Sequence, residues 1–290
     1  MDLASVTISM ISMGGMGALF AAGLAIANKK FHVEEDPRIA MILDNLPGAN
    51  CGGCGLPGCG NYAENIVKGR VELNGCPVCN DDVRETIAGI MGLEITRNEK
   101  IVARVLCQGG NDKSASKGEY LGIEKCTAAN ITGGGDKLCL YGCLGYGECV
   151  DSCPFDAMYM SENGLPVILE DKCTGCGNCA EACPRNIIEM HPVSDTVFIA
   201  CKNEDSPKDS RKVCIKACVG CSLCVRGVEE GLMTLENNLV RIDYHLYGQS
   251  DELPTAKCPT QAIILLESIP KDTVNVPSVV VGKKELLESA

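Results

Sequence analysis

The stretch DKCTGCGNCAEACP, residues 171–184, carries four cysteines in the run C-x2-C-x2-C-x3-C-P: Cys173, Cys176, Cys179 and Cys183, closed by Pro184. Three thiolates on one tight loop, with Gly175 and Gly177 between them, can wrap one face of an iron–sulfur cube while exposed amides donate to its sulfurs. In such a run the fourth cysteine ligates the other cluster of a pair. Structural zinc makes a different demand, usually two separated C-x-x-C knuckles. The run therefore predicts a [4Fe–4S] site and implies a second one nearby.

Working outward, the second site is sought upstream, in CLYGCLGYGEC and the C-P that follows. Cys139-x3-Cys143-x5-Cys149-x3-Cys153-Pro154 has the same ending on a stretched loop. Crossing the fourth ligands gives one cluster on Cys139, Cys143, Cys149 and Cys183, and its partner on Cys153, Cys173, Cys176 and Cys179. Downstream, Cys218-x2-Cys221-x2-Cys224 repeats the three-ligand loop, but Val228 and Glu229 stand where the fourth cysteine and its proline belong. Only Cys258-Pro259 survives of the partner loop. A half-module of this kind holds one cluster, on Cys218, Cys221, Cys224 and Cys258. The recurring CPFDAM, CPRNII and CPTQAI mark an internal repeat. His245, in the degenerate loop, reads as a surface histidine.

A further module precedes these repeats. Cys51-x2-Cys54-x4-Cys59 lies in ANCGGCGLPGCG, with Cys76 downstream, and its glycines let the backbone close around a cofactor. Cys107, Cys126, Cys201 and Cys214 remain outside these loops, each at the edge of a candidate element. They are expected to form a fifth set. Five sets of four account for 20 of the 21 cysteines and leave Cys79 over.

Composition supports a metal-held fold. Only 11 of 290 residues are aromatic, with no Trp, so the apolar core is thin for the length. An odd cysteine count with repeated C-x-x-C spacing favours metal over disulfides. A net charge of −12 argues against a nucleic-acid partner, which calls for a basic face. Aperiodic glycines and 46% apolar residues exclude collagen-like and wholly disordered chains.

Val6 to Ala27, VTISMISMGGMGALFAAGLAIA, is free of charge. As a helix at ~1.5 Å per residue it spans ~33 Å, about the hydrocarbon thickness of a bilayer. Asp2 precedes it and Lys29 and Lys30 follow, the reverse of a signal peptide, although Ala25-Ile26-Ala27 resembles a cleavage site. The positive-inside bias then predicts a single-pass anchor with Met1 outside and the rest in the cytoplasm. Gly14, Ala18 and Ala22 form a small-residue stripe suited to packing on another membrane helix.

The expected fold class is α+β: small cofactor-stabilised modules behind an N-terminal transmembrane helix. The expected domains are an anchor (1–30), a four-cysteine [4Fe–4S] module (31–95), a linker with a strand and cluster ligands (96–136), a ferredoxin-like domain with two clusters (137–200), a degenerate ferredoxin-like domain (201–268) and a tail (269–290). Helices are expected over 37–46, where Pro37 takes the first helical position, and over 82–91. A strand is expected at KIVARVL, 100–106, and a loop over 108–136.

The anchor, then LPGANCGGCGLPGCGNYAE, YGCLGYGECVDSCPFDA and DKCTGCGNCAEACP in that order, resemble RnfB, the iron–sulfur subunit of the Rnf complex. That complex is a membrane-bound, ion-translocating ferredoxin:NAD oxidoreductase that moves sodium ions or protons. The resemblance covers nearly the whole chain except the tail. It implies that the Cys51 module ends at Cys76-Pro77, that soluble ferredoxin donates electrons on the cytoplasmic side, and that electrons pass on to the other Rnf subunits (RnfA, RnfC, RnfD, RnfE and RnfG). Flavin and NAD sites belong to those partners, and no dinucleotide fingerprint is present here. Two other readings remain open: an anchored polyferredoxin of a hydrogenase- or formate-dehydrogenase-type complex, and a zinc-stabilised membrane scaffold. A secreted disulfide protein would require cleavage after Ala27.

Overall fold

The computed structural model describes residues 3–31, 36–94, 99–247 and 257–266, and divides into two compact units. The first unit takes residues 1–48, 57–73 and 79–95; the second takes 49–56, 74–78 and everything from 96 onward. The tail expected over 269–290 lies outside the described residues.

In the first unit, helix α1 (Leu3–Phe31) contains one stretch long and apolar enough to cross a membrane, Met10–Lys30, with a mean hydropathy of 1.8 and none of it buried. Helices α2 (Pro37–Asn45), α3 (Cys59–Val67) and α4 (Asp81–Met91) form a small packed group. Local chemistry sets their ends. Asp36 accepts from the Arg38 amide at 2.9 Å and Pro37 takes the first turn of α2; Asn80 accepts from the Val83 amide at 2.9 Å, and Gly92 ends α4 in a left-handed conformation. Ile42, Tyr62, Ala63, Ile66, Ile87 and Ala88 fill the core between them. The Tyr62 hydroxyl donates to the Glu72 carbonyl at 2.9 Å, so a buried polar atom keeps its partner.

The second unit is built from short strands. In chain order these are β1 (Ile101–Val105), β2 (Met158–Met160), β3 (Pro166–Ile168), β4 (Ile188–Pro192), β5 (Val197–Ile199), β6 (Met233–Glu236), β7 (Leu239–Ile242) and β8 (Ile263–Leu265). Between them lie α5 (Cys126–Ile131), α6 (Glu148–Asp151), α7 (Asn178–Glu181), α8 (Pro207–Val213) and α9 (Tyr244–Tyr247). All pairing is antiparallel: β1 with β4, β2 with β3, β5 with β8, β6 with β7. First strand with fourth and second with third is one topology used twice, over 101–192 and 197–265. Strand β1 therefore belongs to the first repeat, not to a linker, and β5 opens the second. The segment 108–136 is also more than a loop: it carries α5 and two single β-bridges, Ser114–Cys214 and Ser116–Lys137.

Each repeat has its own core, and cysteines are part of it. Ala103, Met158, Ile187 and Ile188 pack with Cys143, Cys149 and Cys179; Val197, Met233, Val240 and Ile263 pack with Cys218 and Cys224.

Candidate metal centres

Register between the loops shows which cysteines are equivalent. Cys143, Cys173 and Cys218 each stand six residues before Cys149, Cys179 and Cys224. Within each interval the same two positions have left-handed backbone: Gly145 and Gly147 (φ 89° and 76°), Gly175 and Gly177 (73° and 84°), Gly220 and Ser222 (56° and 57°). The second position after each C-P also repeats, with Asp156, Asn186 and Gln261 at φ 49°, 49° and 54°. The first loop is thus the same length as the others. Its middle cysteine has been replaced by Tyr146, where the second and third loops have Cys176 and Cys221.

Cys126 brings a thiol to the cavity lined by this loop. It opens α5, is buried, and packs with Ala129 and Leu144 beside Tyr120 and Tyr146. Cys126, Cys143, Cys149 and Cys183 line one small cavity. Cys107, Cys139, Cys201 and Cys214 line a second. The cavities thus group the cysteines with one exchange from the expected sets: Cys126 lies with the first ferredoxin loop, and Cys139 with Cys107, Cys201 and Cys214. Spacing hides this, because x3 between Cys139 and Cys143 reads as a stretched loop, whereas the glycine register begins at Cys143. Cys183 lies across the pair, with Cys143 and Cys149.

Cys218, Cys221, Cys224 and Cys258 line a third cavity. Cys153, Cys173 and Cys176 are the thiols that bear electrostatically on Cys179. Cys51 and Cys54 lie on a loop that meets the Cys173–Cys179 loop within the second unit. The Asn178 side chain donates to the Cys51 carbonyl at 3.3 Å, and a Cβ on Gly53 would come within 2.8 Å of the Cys176 carbonyl oxygen, so only glycine fits there. Cys59 opens α3, and Cys76 and Cys79 are both buried. His245 is exposed, as expected of a surface histidine.

The second cavity has an internal two-fold logic. Cys107 follows β1 as Cys201 follows β5, and Cys139-x3-Cys143 matches Cys214-x3-Cys218. Hydrogen bonds repeat too. Cys107 Sγ accepts from the amides of Gly109 (3.3 Å) and Cys143 (3.4 Å); Cys201 Sγ accepts from those of Asn203 (3.4 Å) and Cys218 (3.2 Å). The buried Asn203 amide donates to Cys139 Sγ at 3.6 Å. Each repeat thus contributes one pair of thiols.

Electrostatics fit metal-bound thiolates. Burial pushes Cys143, Cys149 and Cys201 up to about 12, and Cys179 and Cys224 up to about 11. At Cys258 burial also pushes upward, but donors led by the Thr260 hydroxyl outweigh it and leave the thiol below its usual value. Thiols this far from ionising become ligands only when a metal supplies the compensating charge. A single zinc ion would draw four sulfurs to about 3.8 Å of one another. Among the described residues no three His, Cys, Asp or Glu converge on one ion, and none of the 21 cysteines is in a disulfide. Four thiols around a shared cavity suit a cube that offers each sulfur its own iron.

Repeated ferredoxin-like halves with four-thiol cavities define an iron–sulfur protein of the polyferredoxin class. Residues 46–78 match the family model described as "Putative Fe-S cluster", and residues 140–190 match "4Fe-4S dicluster domain". Relatives match over most of the chain. The B component of the Na(+)-translocating ferredoxin:NAD(+) oxidoreductase complex of Acetobacterium woodii is 44% identical over 87% of this chain and 75% of its own length. Its counterpart in the Proton-translocating ferredoxin:NAD(+) oxidoreductase complex of Clostridium ljungdahlii is 41% identical over 89% and 92%. That of the Ion-translocating oxidoreductase complex of Methanosarcina acetivorans is 38% identical over 91% and 100%. The chain belongs to this RnfB family.

Proposed function

We propose that the chain is the electron-relay subunit of an Rnf complex, taking electrons from reduced soluble ferredoxin and passing them to the other subunits. There they serve NAD reduction coupled to movement of Na+ or H+. The observation that carries this reading is the set of adjacent four-cysteine sites, with backbone amides of one loop donating to sulfurs of the next. [4Fe–4S] clusters supply one-electron carriers. The chain's part is to hold them, set their potentials and keep them close; it makes and breaks no substrate bond.

The proposed ligand sets are Cys51, Cys54, Cys59 and Cys76, from sequence spacing; Cys153, Cys173, Cys176 and Cys179; Cys126, Cys143, Cys149 and Cys183; Cys107, Cys139, Cys201 and Cys214; and Cys218, Cys221, Cys224 and Cys258. Cys79 is the one cysteine without a set. The α1 helix is proposed as a single membrane anchor, with Lys29 and Lys30 on the cytoplasmic side together with all the cysteine modules. With no acidic or basic residue between Thr7 and Asn28, α1 offers no ion path of its own, so translocation is left to the partner subunits.

Iron and acid-labile sulfide per chain, measured on anaerobically purified protein alongside low-temperature EPR, test the reading. About 20 irons are expected for five [4Fe–4S] clusters, reducible by ferredoxin. Colourless protein carrying zinc would reject the relay, and about 16 irons unchanged by Cys107→Ser would reject the fifth site.

A further inference from the structure

Two cations lie where the two halves of the relay meet. Lys137 is 3% exposed, and its Nζ donates to the Gly109 carbonyl at 3.2 Å. Gly109 itself packs between the sulfurs of Cys107 and Cys214, since a Cβ there would lie 3.5 and 3.4 Å from them. Arg185 is half-buried in the wall of the Cys126 cavity. Its Nη1 donates to the carbonyls of Cys139 (2.7 Å) and Gly142 (2.9 Å), its Nη2 to Gly134 (3.2 Å), and its Nε to Asn130 Oδ1 (3.2 Å). One guanidinium thus ties the segment that delivers Cys126 to the segment that delivers Cys139, the two cysteines that serve different cavities.

The internal repeat serves as a control. The residue after C-P is Phe155, Arg185 and Thr260 in the three copies, so only one carries a cation. Lys137 stands two before Cys139 as Lys212 stands two before Cys214. Lys212, however, is 60% exposed and paired with Asp209 at 2.8 Å. Among the described residues, neither Lys137 nor Arg185 is in an ion pair. Both bear on thiols of both cavities: Lys137 on Cys107 and Cys143, Arg185 on Cys139, Cys107, Cys143 and Cys126. A carboxylate does approach from the far side, where Asp205 accepts from the Asn203 side chain at 3.3 Å, but Asn203 stands between it and Cys139.

We propose that Lys137 and Arg185 are potential-setting cations for these two adjacent sites, making the central pair easier to reduce than neutral side chains in the same places would. Reduction adds a negative charge to a cluster, and a nearby buried or half-buried cation, screened by bulk water less than a surface charge, stabilises it. Electrons entering from either end of the relay then meet a more accepting pair in the middle. This inference rests on the relay reading above.

The test is an EPR-monitored redox titration of the full chain, in its complex and purified without oxygen, with iron measured on the same samples. Arg185→Gln and Lys137→Met are each expected to retain iron and to shift two cluster midpoints negative while the others stay. The shift expected is at least tenfold in the reduced-to-oxidised ratio, about 59 mV for one electron. Arg185→Lys, which keeps the charge, is expected to hold the wild-type midpoints. Unchanged midpoints in iron-complete Arg185→Gln and Lys137→Met would overturn the proposal. Iron loss shared by all three variants would overturn it too, because both residues would then be structural. A wild-type chain without clusters would instead defeat the relay reading itself.

Discussion

Cys126 and Cys139 line different cavities although both stand at the edge of the same glycine-rich segment. Cys126 opens a buried helical turn and faces Cys143, Cys149 and Cys183; Cys139 faces Cys107, Cys201 and Cys214. Cys126→Ser is therefore expected to remove the same EPR signal as Cys143→Ser, and Cys139→Ser the same signal as Cys107→Ser; the opposite pairing would restore the assignment drawn from spacing alone. The exchange was legible in the chain, because Gly145 and Gly147 align with Gly175 and Gly177 and put Tyr146 opposite Cys176. Counting cysteine intervals without the glycines hides it. His191 carried no such signal. It is buried between Asp195 (Nδ1 to Oδ2, 3.0 Å) and Glu189 (Nε2 to Oε2, 3.4 Å), with Phe198 and Tyr244 edge-on. Burial disfavours its charge, but its bonds to the two carboxylates outweigh that and raise its pKa above 6.5. The hydrogen bond from His191 heads the causes that hold Glu189 down to about 2, against an ordinary 4.5. The histidine's contribution is complete below pH 6.5 and fades as pH rises through its raised pKa; that of Glu189 is complete above pH 4.5 and fades as pH falls toward 2. Stability should thus be greatest between these limits. Thermal unfolding against pH should lose its alkaline limb in His191→Phe, and an unchanged limb would contradict the role.

Helices α2 and α4 and strand β1 could be read from local signals: a capping Asp36 or Asn80, a proline in the first turn, an alternating KIVARVL. Pairing could not. Strand β1 meets β4 across more than eighty residues, and most strands here are three or four residues long, too short for periodicity to speak. Helix α5 has six residues and no amphipathic repeat, which is why the segment reads as a loop. What holds these short elements together is close backbone packing at the loops. At Gly175 the backbone is left-handed (φ 73°), and a Cβ would come within 2.6 Å of the Ile101 carbonyl oxygen, so the ligand loop sits directly on β1. Gly177 is also left-handed (φ 84°) but has open space around it, and its counterpart in the next repeat is a serine. Gly177→Ser should therefore cost about 1 kcal/mol of backbone strain and keep its iron. Gly175→Ala adds a collision with main chain that cannot move aside, and should lower the unfolding midpoint further and release iron. Equal effects of the two substitutions in parallel melts and iron assays would show that packing on β1 is not what fixes the loop.

Across the whole molecule the contacts between loops put the sites in series. The Cys51 loop meets the Cys173–Cys179 loop through Asn178. In the proposed sets Cys153 and Cys183 cross between the two sites of the first repeat, so those sites would share a covalent frame. The Cys143 amide donates to Cys107 Sγ, leading from the first repeat to the cavity both repeats share, and the Cys218 amide donates to Cys201 Sγ, leading out of it into the second. Because the two repeats have the same topology, the shared cavity lies where one ends and the next begins, and the proposed route between them runs through its four thiols. A relay in series has a testable weakness: tunnelling falls steeply with distance, so loss of one inner carrier isolates everything beyond it. Cys214 is the residue to remove, since the amides donated by Cys143 and Cys218 go to Cys107 and Cys201 and survive its loss. In Cys214→Ala the Cys218–Cys258 site should keep its iron and still be reduced by a small reductant such as dithionite. When reduced ferredoxin is mixed with the complex and the absorbance bleach is followed in stopped flow, only the clusters on the donor's side of the break should reduce at the wild-type rate. Reduction of every remaining cluster at that rate would mean that electrons bypass the shared cavity, and that the order inferred from the loop contacts is wrong.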